Sequence, residues 1–338
     1  MANSGTGYAR RVIPVILCNG AEVNLSQNLL SLRYTDNASG SIDDIKLTIA
    51  DREGNWSGWN PQKEDDLDVT ISMFNWESDG DIKTYHCGNF TLDDISYKGS
   101  PKTLSIGAVS QPASSSFKGG RVTKTWQKVT IKQIAMEIMA KYGMPKLYYW
   151  GNEYLIDTME QDDQSDSEFL QQLCESYGFA LKIYKKGLVI FDEALYESRG
   201  TARTFHPEDI EPGYEWNTTL QGTYTGAQIS YTNGKQGQDI TITVGTTERL
   251  MVINEKADTQ AEAETKARSA VNNANKSAVT MTFTLQLADP NIVASCNIQL
   301  EGFHQRINGK YYVDKVVNNI SSSGYTMQVT CHKIMGRI

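Results

Sequence analysis

Histidine is scarce in this chain of 338 residues: His86, His206, His304 and His332 are all there are. The pairs His86-Cys87 and Cys331-His332 suggest a metal site if their strands meet. Neighbouring strand residues point to opposite faces, however, so each pair lends one ligand at most, short of the usual four. Cysteine is sparse as well. The five residues (Cys18, Cys87, Cys174, Cys296 and Cys331) are odd in number and widely scattered, which argues against a disulfide framework and for synthesis in a reducing cytoplasm. No apolar run approaches a membrane span, so no membrane insertion is expected. Val12 to Cys18 is too short, and too interrupted by Pro14, to be a signal peptide. There is no basic excess either: the net charge is −8, which speaks against a nucleic-acid binder. A Gly-rich phosphate loop and a nucleophile elbow are both missing.

What is present is organised around Gln164 to Asp192. Ser165 and Glu168 form a capping box, and Phe169, Leu170, Leu173, Cys174 and Tyr177 line one helix face. Gly178 suits a left-handed C-terminal cap, and two strands, Phe179 to Tyr184 and Leu188 to Phe191, follow around a Lys-Lys-Gly turn. A second capping box, Thr130 with Gln133, starts a helix that ends near Gly143. Together these predict a small α/β domain over residues 113–203. At this length several domains are expected.

Both flanks read as β. Residues 1–112 hold short strand-like runs separated by turn residues, with Ile45, Leu47 and Ile49 alternating with polar neighbours. Residues 204–338 hold further runs: Ala227 to Tyr231, Asp239 to Val244, Val279 to Leu287, Cys296 to Leu300, Tyr311 to Val317 and Tyr325 to Cys331. A helix is inserted near 259–275, capped by Thr259 and Glu262, with a narrow face of Ala263, Ala267, Ala270, Val271 and Ala274. The flanks repeat one another. Gly88 to Ile95 and Gly309 to Val316 share G-x-[FY]-x-[LV]-D-x-[IV]; Ile45 to Ile49 resembles Met281 to Leu285, and Thr103 to Ile106 resembles Thr326 to Val329, in the same order. The chain is thus predicted to carry two related β modules around an α/β domain.

Several patterns invite a chemical reading and have a plainer one. Trp56 and Trp59, in a polar loop, suit sugar stacking, but the favoured reading is that they close a barrel end or fill an interface. Asp65-Asp66-Asp68 and Asp162-Asp163-Asp166 offer paired carboxylates for glycoside cleavage, yet turns and helix starts favour acids anyway. Lys118, Arg121, Lys124, Lys128 and Lys132 around Trp126 form a basic stripe, expected to be a solvated or partner-facing edge. Asp79-Gly80-Asp81 lacks the remaining EF-hand positions. No catalytic, cofactor-binding or metal-ligating residue is assigned, and an enzyme is not expected.

The Trp-Pro loop and its following strand (Trp56, Trp59, Pro61, Leu67 to Phe74), the SDSEFLQQLCESYGF helix and the closing GKYYVDKV strand resemble the late-control, or baseplate hub, proteins of contractile-tailed phages, tailocins and other contractile injection systems. That resemblance implies two tube-protein-like β-barrel modules per chain and a homotrimer presenting six quasi-equivalent barrels. It implies as partners the hexameric tail tube or its initiator, the trimeric spike and other baseplate proteins. It places the chain in a virion or tail-like particle assembled in the host cytoplasm. A lytic role is not implied, because no hydrolase or LysM-like segment is present. The competing expectation is a tail protein that binds or degrades cell-wall glycans through Trp56 and Trp59.

Overall fold

A computed structural model describes residues 9–25, 27–54, 59–110, 116–233, 238–255 and 257–338. The N-terminal module contains β1 (Arg11–Cys18), β2 (Ala21–Glu22), β3 (Leu29–Asn37), β4 (Asp44–Ala50), β5 (Asp66–Phe74), β6 (Ile82–Lys98) and β7 (Thr103–Val109). They pair antiparallel in the order β3-β4-β7-β6-β5-β1-β2. The alternating burial of β4, β5 and β7 follows directly from their alternating apolar residues. The sheet curls. Tyr34 of β3 and Phe90 of β6 are separated by two intervening strands, β4 and β7, which on a flat sheet means about 14 Å. Their rings meet at 5.7 Å, edge to face.

The α/β unit follows: α1 (Ser116–Gly119), β8 (Arg121–Thr130), α2 (Ile131–Lys141), β9 (Leu147–Trp150), β10 (Leu155–Ser165), α3 (Asp166–Ser176), β11 (Phe179–Tyr184), β12 (Gly187–Asp192) and α4 (Glu193–Ser198). Both expected capping boxes form: Ser165 and Thr130 each accept from the third helical amide, while Glu168 and Gln133 accept from the cap amides. Phe169, Leu170, Leu173 and Cys174 are buried in the core of this unit. Trp126 stacks on Phe169 at 4.9 Å.

The chain then continues through β13 (Arg203–Phe205), β14 (Glu215–Thr218), β15 (Gly226–Asn233), β16 (Gln238–Gly245), β17 (Leu250–Ile253), α5 (Gln260–Asn275), β18 (Val279–Thr284), β19 (Asn297–Leu300), β20 (Gly309–Ser321) and β21 (Gly324–Lys333). The insertion in this module exceeds the single helix expected. Ala227 to Tyr231 and Asp239 to Val244 leave the main sheet and form a separate sheet, β16-β15-β17. It is covered by Ala263, Ala267 and Val271 of α5 in a core of its own. These strands look like any other half-buried strand in sequence; only their partners set them apart.

The remaining strands pair as β14-β18-β21-β20-β19-β13. This matches β3-β4-β7-β6-β5-β1 strand for strand, except that β13 runs parallel to β19 where β1 runs antiparallel to β5. The repeat motif now has a physical meaning at each position. Gly88 (φ +113°) and Gly309 (φ +142°) sit where side chains are strained. Phe90 and Tyr311, Leu92 and Val313, and then Val316 are buried, while Ile95 packs half-buried on the core. Asp93 and Asp314 are the bulged residues, since pairing to the next strand skips from Leu92 to Asp94 and from Val313 to Lys315. Even the aromatic span recurs: the Trp216 indole donates to the Tyr311 hydroxyl at 3.3 Å, in the places of Tyr34 and Phe90.

Candidate functional site

The chain's chemistry lies in how its parts join. β20 has β21 on one side and β3 on the other, so the two modules share one continuous sheet. Val316 opposes Asp36, Val317 opposes Thr35, Asn318 opposes Tyr34 and Asn319 opposes Arg33. One core runs through both modules. Trp76, from the β5–β6 turn, donates to the Ala288 carbonyl at 2.6 Å and tilts against Tyr325, closing the same joint.

Asp36 ties three units at one point. Its carboxylate accepts from the Ala294 amide (2.9 Å) in the C-terminal module and from Tyr85 (3.3 Å) in its own. It also accepts from Lys182 of β11, which reaches Asp43 at 3.1 Å and the Asn37 carbonyl at 2.9 Å. Burial pushes the Asp43 carboxyl up to about 7, against the pull of Lys182. Burial lowers the Lys182 ammonium, but Asp36 and Asp43 outweigh it and hold it above the ordinary lysine range. Ser110 donates to the Ile183 carbonyl nearby at 3.2 Å. The α/β unit is therefore seated on the N-terminal module by a buried cation between two carboxylates.

A second clamp holds the C-terminal module. Glu197 of α4 accepts from Arg337 at 2.6 and 2.8 Å and faces His332, whose other ring nitrogen lies 2.7 Å from Asp314. Burial opposes the charge of Glu197, but His332 and Arg337 hold its carboxyl down at about 2. Asn297 donates to the Tyr196, Glu197 and Arg199 carbonyls, so it caps the end of α4 from the neighbouring module. Sequence reasoning missed α4, Glu197 and Lys182. The Asp192 cap, which accepts from Ala194 and Leu195, was the one local signal for α4.

The residues singled out in the sequence do not converge on a chemical site. Trp59 is 9% exposed and belongs to the core, which removes it as a sugar-stacking platform; Trp56 lies outside the described residues. Asp65 accepts from Gln62 and Asn19, Asp66 pairs with Lys186, and Asn89 donates to Asp68. Asp163 faces Arg121, and buried Asp166 accepts from Lys141, Tyr142 and Gln161. Asp162 lines an open cleft of about 880 Å³ between β10, α3 and α5. The basic stripe is neutralised in part: Lys124 pairs with Glu137 over Trp126, and Lys132 pairs with Glu153 at 2.8 Å. His86 contacts Thr70, and His332 is engaged by carboxylates. Among the described residues, no group of three or more His, Cys, Asp or Glu is placed to hold a metal ion, and no helix is long and apolar enough to cross a membrane.

No protein-family model matches the chain. It is 19% identical, over 96% of its length, to a probable baseplate hub protein of Escherichia phage 186, of which it covers 93%. Its fold is similar to that of a 43 kDa tail protein from prophage MuSo2 of Shewanella oneidensis (TM-score 0.71, 11% identity, 96% of this chain and 98% of that one). It is also similar to an Escherichia coli component of the type VI secretion system (TM-score 0.61, 12% identity, 95% and 77%). The resemblance to baseplate hub and tail proteins thus spans nearly the whole chain, and the architecture is that of a β-rich tail protein.

Proposed function

We propose that this chain is a structural baseplate hub of a contractile phage tail or tail-like particle. Three copies form a pseudo-sixfold ring that joins a hexameric tail tube to a trimeric spike. The observation that carries this reading is the internal duplication: two modules of the same strand order, fused through β20 and β3 into one sheet. A tube with sixfold symmetry and a spike with threefold symmetry need a connector that satisfies both. Two similar modules per chain, repeated three times, supply six similar surfaces while the assembly remains a true trimer. The similarity to a probable baseplate hub protein over almost its full length supports the same assignment.

In this reading the α/β unit lies outside the ring and the chain resides in the particle, with tube, spike and other baseplate proteins as partners. Mass measurement of the purified protein over a wide concentration range, with electron microscopy of the assembled particle, tests it. Three copies at the tube–spike junction are expected. Six copies, or a position away from that junction, would overturn it. Glycan binding, the competing function, has lost Trp59 to the core; binding of wall fragments abolished by Trp56→Ala would revive it.

A further inference from the structure

The open cleft of about 880 Å³ between β10, α3 and α5 combines a strand edge, an apolar floor and charge of one sign. Thr158, Met159 and Glu160 all line it, although neighbouring residues of a strand point to opposite faces. A strand whose consecutive residues meet one space turns its edge to that space. β10 pairs with β8 on one side, and among the described residues no strand pairs with it on the other. Along that free side, every second residue has its amide and carbonyl turned away from β8. Met159, Phe169, Leu173 and Ala270 supply the apolar floor.

The far wall, α5, is fixed to α3. Tyr177 donates to Glu262 at 2.7 Å, and Asn273 donates to the Glu175 carbonyl at 3.3 Å. The cleft is therefore open before anything enters it, which lowers the ordering cost of binding. Glu160, Asp162, Glu175, Glu255, Asp258 and Glu262 all border it. The one cation bordering it among the described residues is buried Lys266, which Glu262 engages at 2.9 Å. Glu160, Asp162, Glu255 and Asp258 are exposed and form no ion pair among the described residues. Acids gathered around one concave surface repel each other and focus their field on an entering cation.

We propose that this cleft takes an extended lysine- and arginine-rich segment of a partner protein, which adds to β10 as a third strand beside β8. The segment's main chain meets the free edge over residues 158–162, about 16 Å of strand. Its apolar side chains settle on Met159, Phe169 and Leu173, and its basic ones reach Glu160, Asp162, Glu255 and Asp258. In this mode of recognition the main chain gives affinity and the side chains give specificity. A nucleic acid or an anionic surface is repelled by the same acids. Nothing in this binding depends on the ring, so a single chain is expected to show it.

Fluorescence anisotropy of the full-length chain with a labelled peptide of alternating lysine and valine is the test. The peptide should bind, more weakly as salt rises, and its glutamate–valine counterpart should not. Glu160→Gln with Asp162→Asn, and separately Glu255→Gln with Asp258→Asn, should each lower the affinity about fivefold. Glu208→Gln with Glu211→Gln, exposed acids of the C-terminal module, should leave it unchanged. Hydrogen exchange of the wild-type chain should slow at residues 158–162 when the peptide binds. Spermine, which has the charge without the main chain, should compete poorly. Binding without that protection, or equal competition by spermine, overturns the strand addition. No binding at low salt, or binding that the cleft variants leave unchanged, overturns the site.

Discussion

β6 and β20 carry an equivalent glycine, an equivalent bulged aspartate and apolar residues at the same core positions, yet their outer halves live in different surroundings. Val317 and Asn318 are buried beneath β3, whereas their equivalents Ser96 and Tyr97 are exposed. The difference does not come from the strands themselves. It comes from what the chain places beside them: β3 lies against β20 because the modules are fused, and among the described residues no equivalent strand lies beside the outer half of β6. The acids differ as well. Asp36 of β3 is the knot between three units, while the residue in its place on β14 is Thr218. The two modules are thus one design with one joint made inside the chain and one left over.

The largest test of this contrast is Lys182→Met. It strands two buried carboxylates at the internal joint, and breaking a buried pair in this way costs about 3–5 kcal/mol. Adding Asp43→Asn should recover part of the loss. Denaturant titration reads both, and a loss below 1 kcal/mol would mean that the joint does not depend on this cation. Next come the equivalent aromatics. Tyr34→Ala, at a site 2% exposed, should cost about 3–5 kcal/mol. Trp216→Ala should cost less in the isolated chain, because β14 lacks the neighbour that covers β3. Equal losses would contradict the asymmetry.

Leu173→Ala probes the unit between the modules, where a buried leucine at 3% exposure predicts a loss of about 2–5 kcal/mol. An unchanged melting temperature would show that this helix face is not core. The smallest effect is the pH dependence that the clamp in the C-terminal module adds. Burial lowers the His332 pKa, but Asp314 and Glu197 outweigh it and raise it to about 9. A raised histidine contributes stability that is full below the unfolded value near 6.5 and is lost as pH rises through about 9. Val109 stands in its place in the N-terminal module, beside Thr91 as His332 is beside Tyr312, so no matching term exists there. Melting curves between pH 8 and 10, above the range in which Asp43 titrates, should show the loss, and His332→Gln should remove it.

Some of this architecture was legible because its signals are local. A hydroxyl followed three residues later by Glu or Gln satisfies orphan amides wherever it occurs, so α2, α3 and α5 begin at the expected caps. β8 and β10 were missed because each is polar at most positions; Trp126 alone is buried along β8, and the two strands stabilise each other by pairing. α4 was missed because six residues hold no full apolar period. The tryptophan loop goes the way its plainer reading expects: Trp59 turns inward into the core despite the polar sequence around it.

By itself the sequence determined the mainly β composition, the capped helices and the duplication, since glycine, aromatic and bulged aspartate are backbone and core requirements that each module must meet separately. Only the tertiary structure decided which copy of that strand is covered. It also decided that Asp36, Asp43 and Lys182 share one buried site, and that β15 and β16 leave the main sheet for α5. Strand pairing and buried charge join residues far apart in the chain, and a strand's own residues fix which face is apolar without fixing which strand lies beside it.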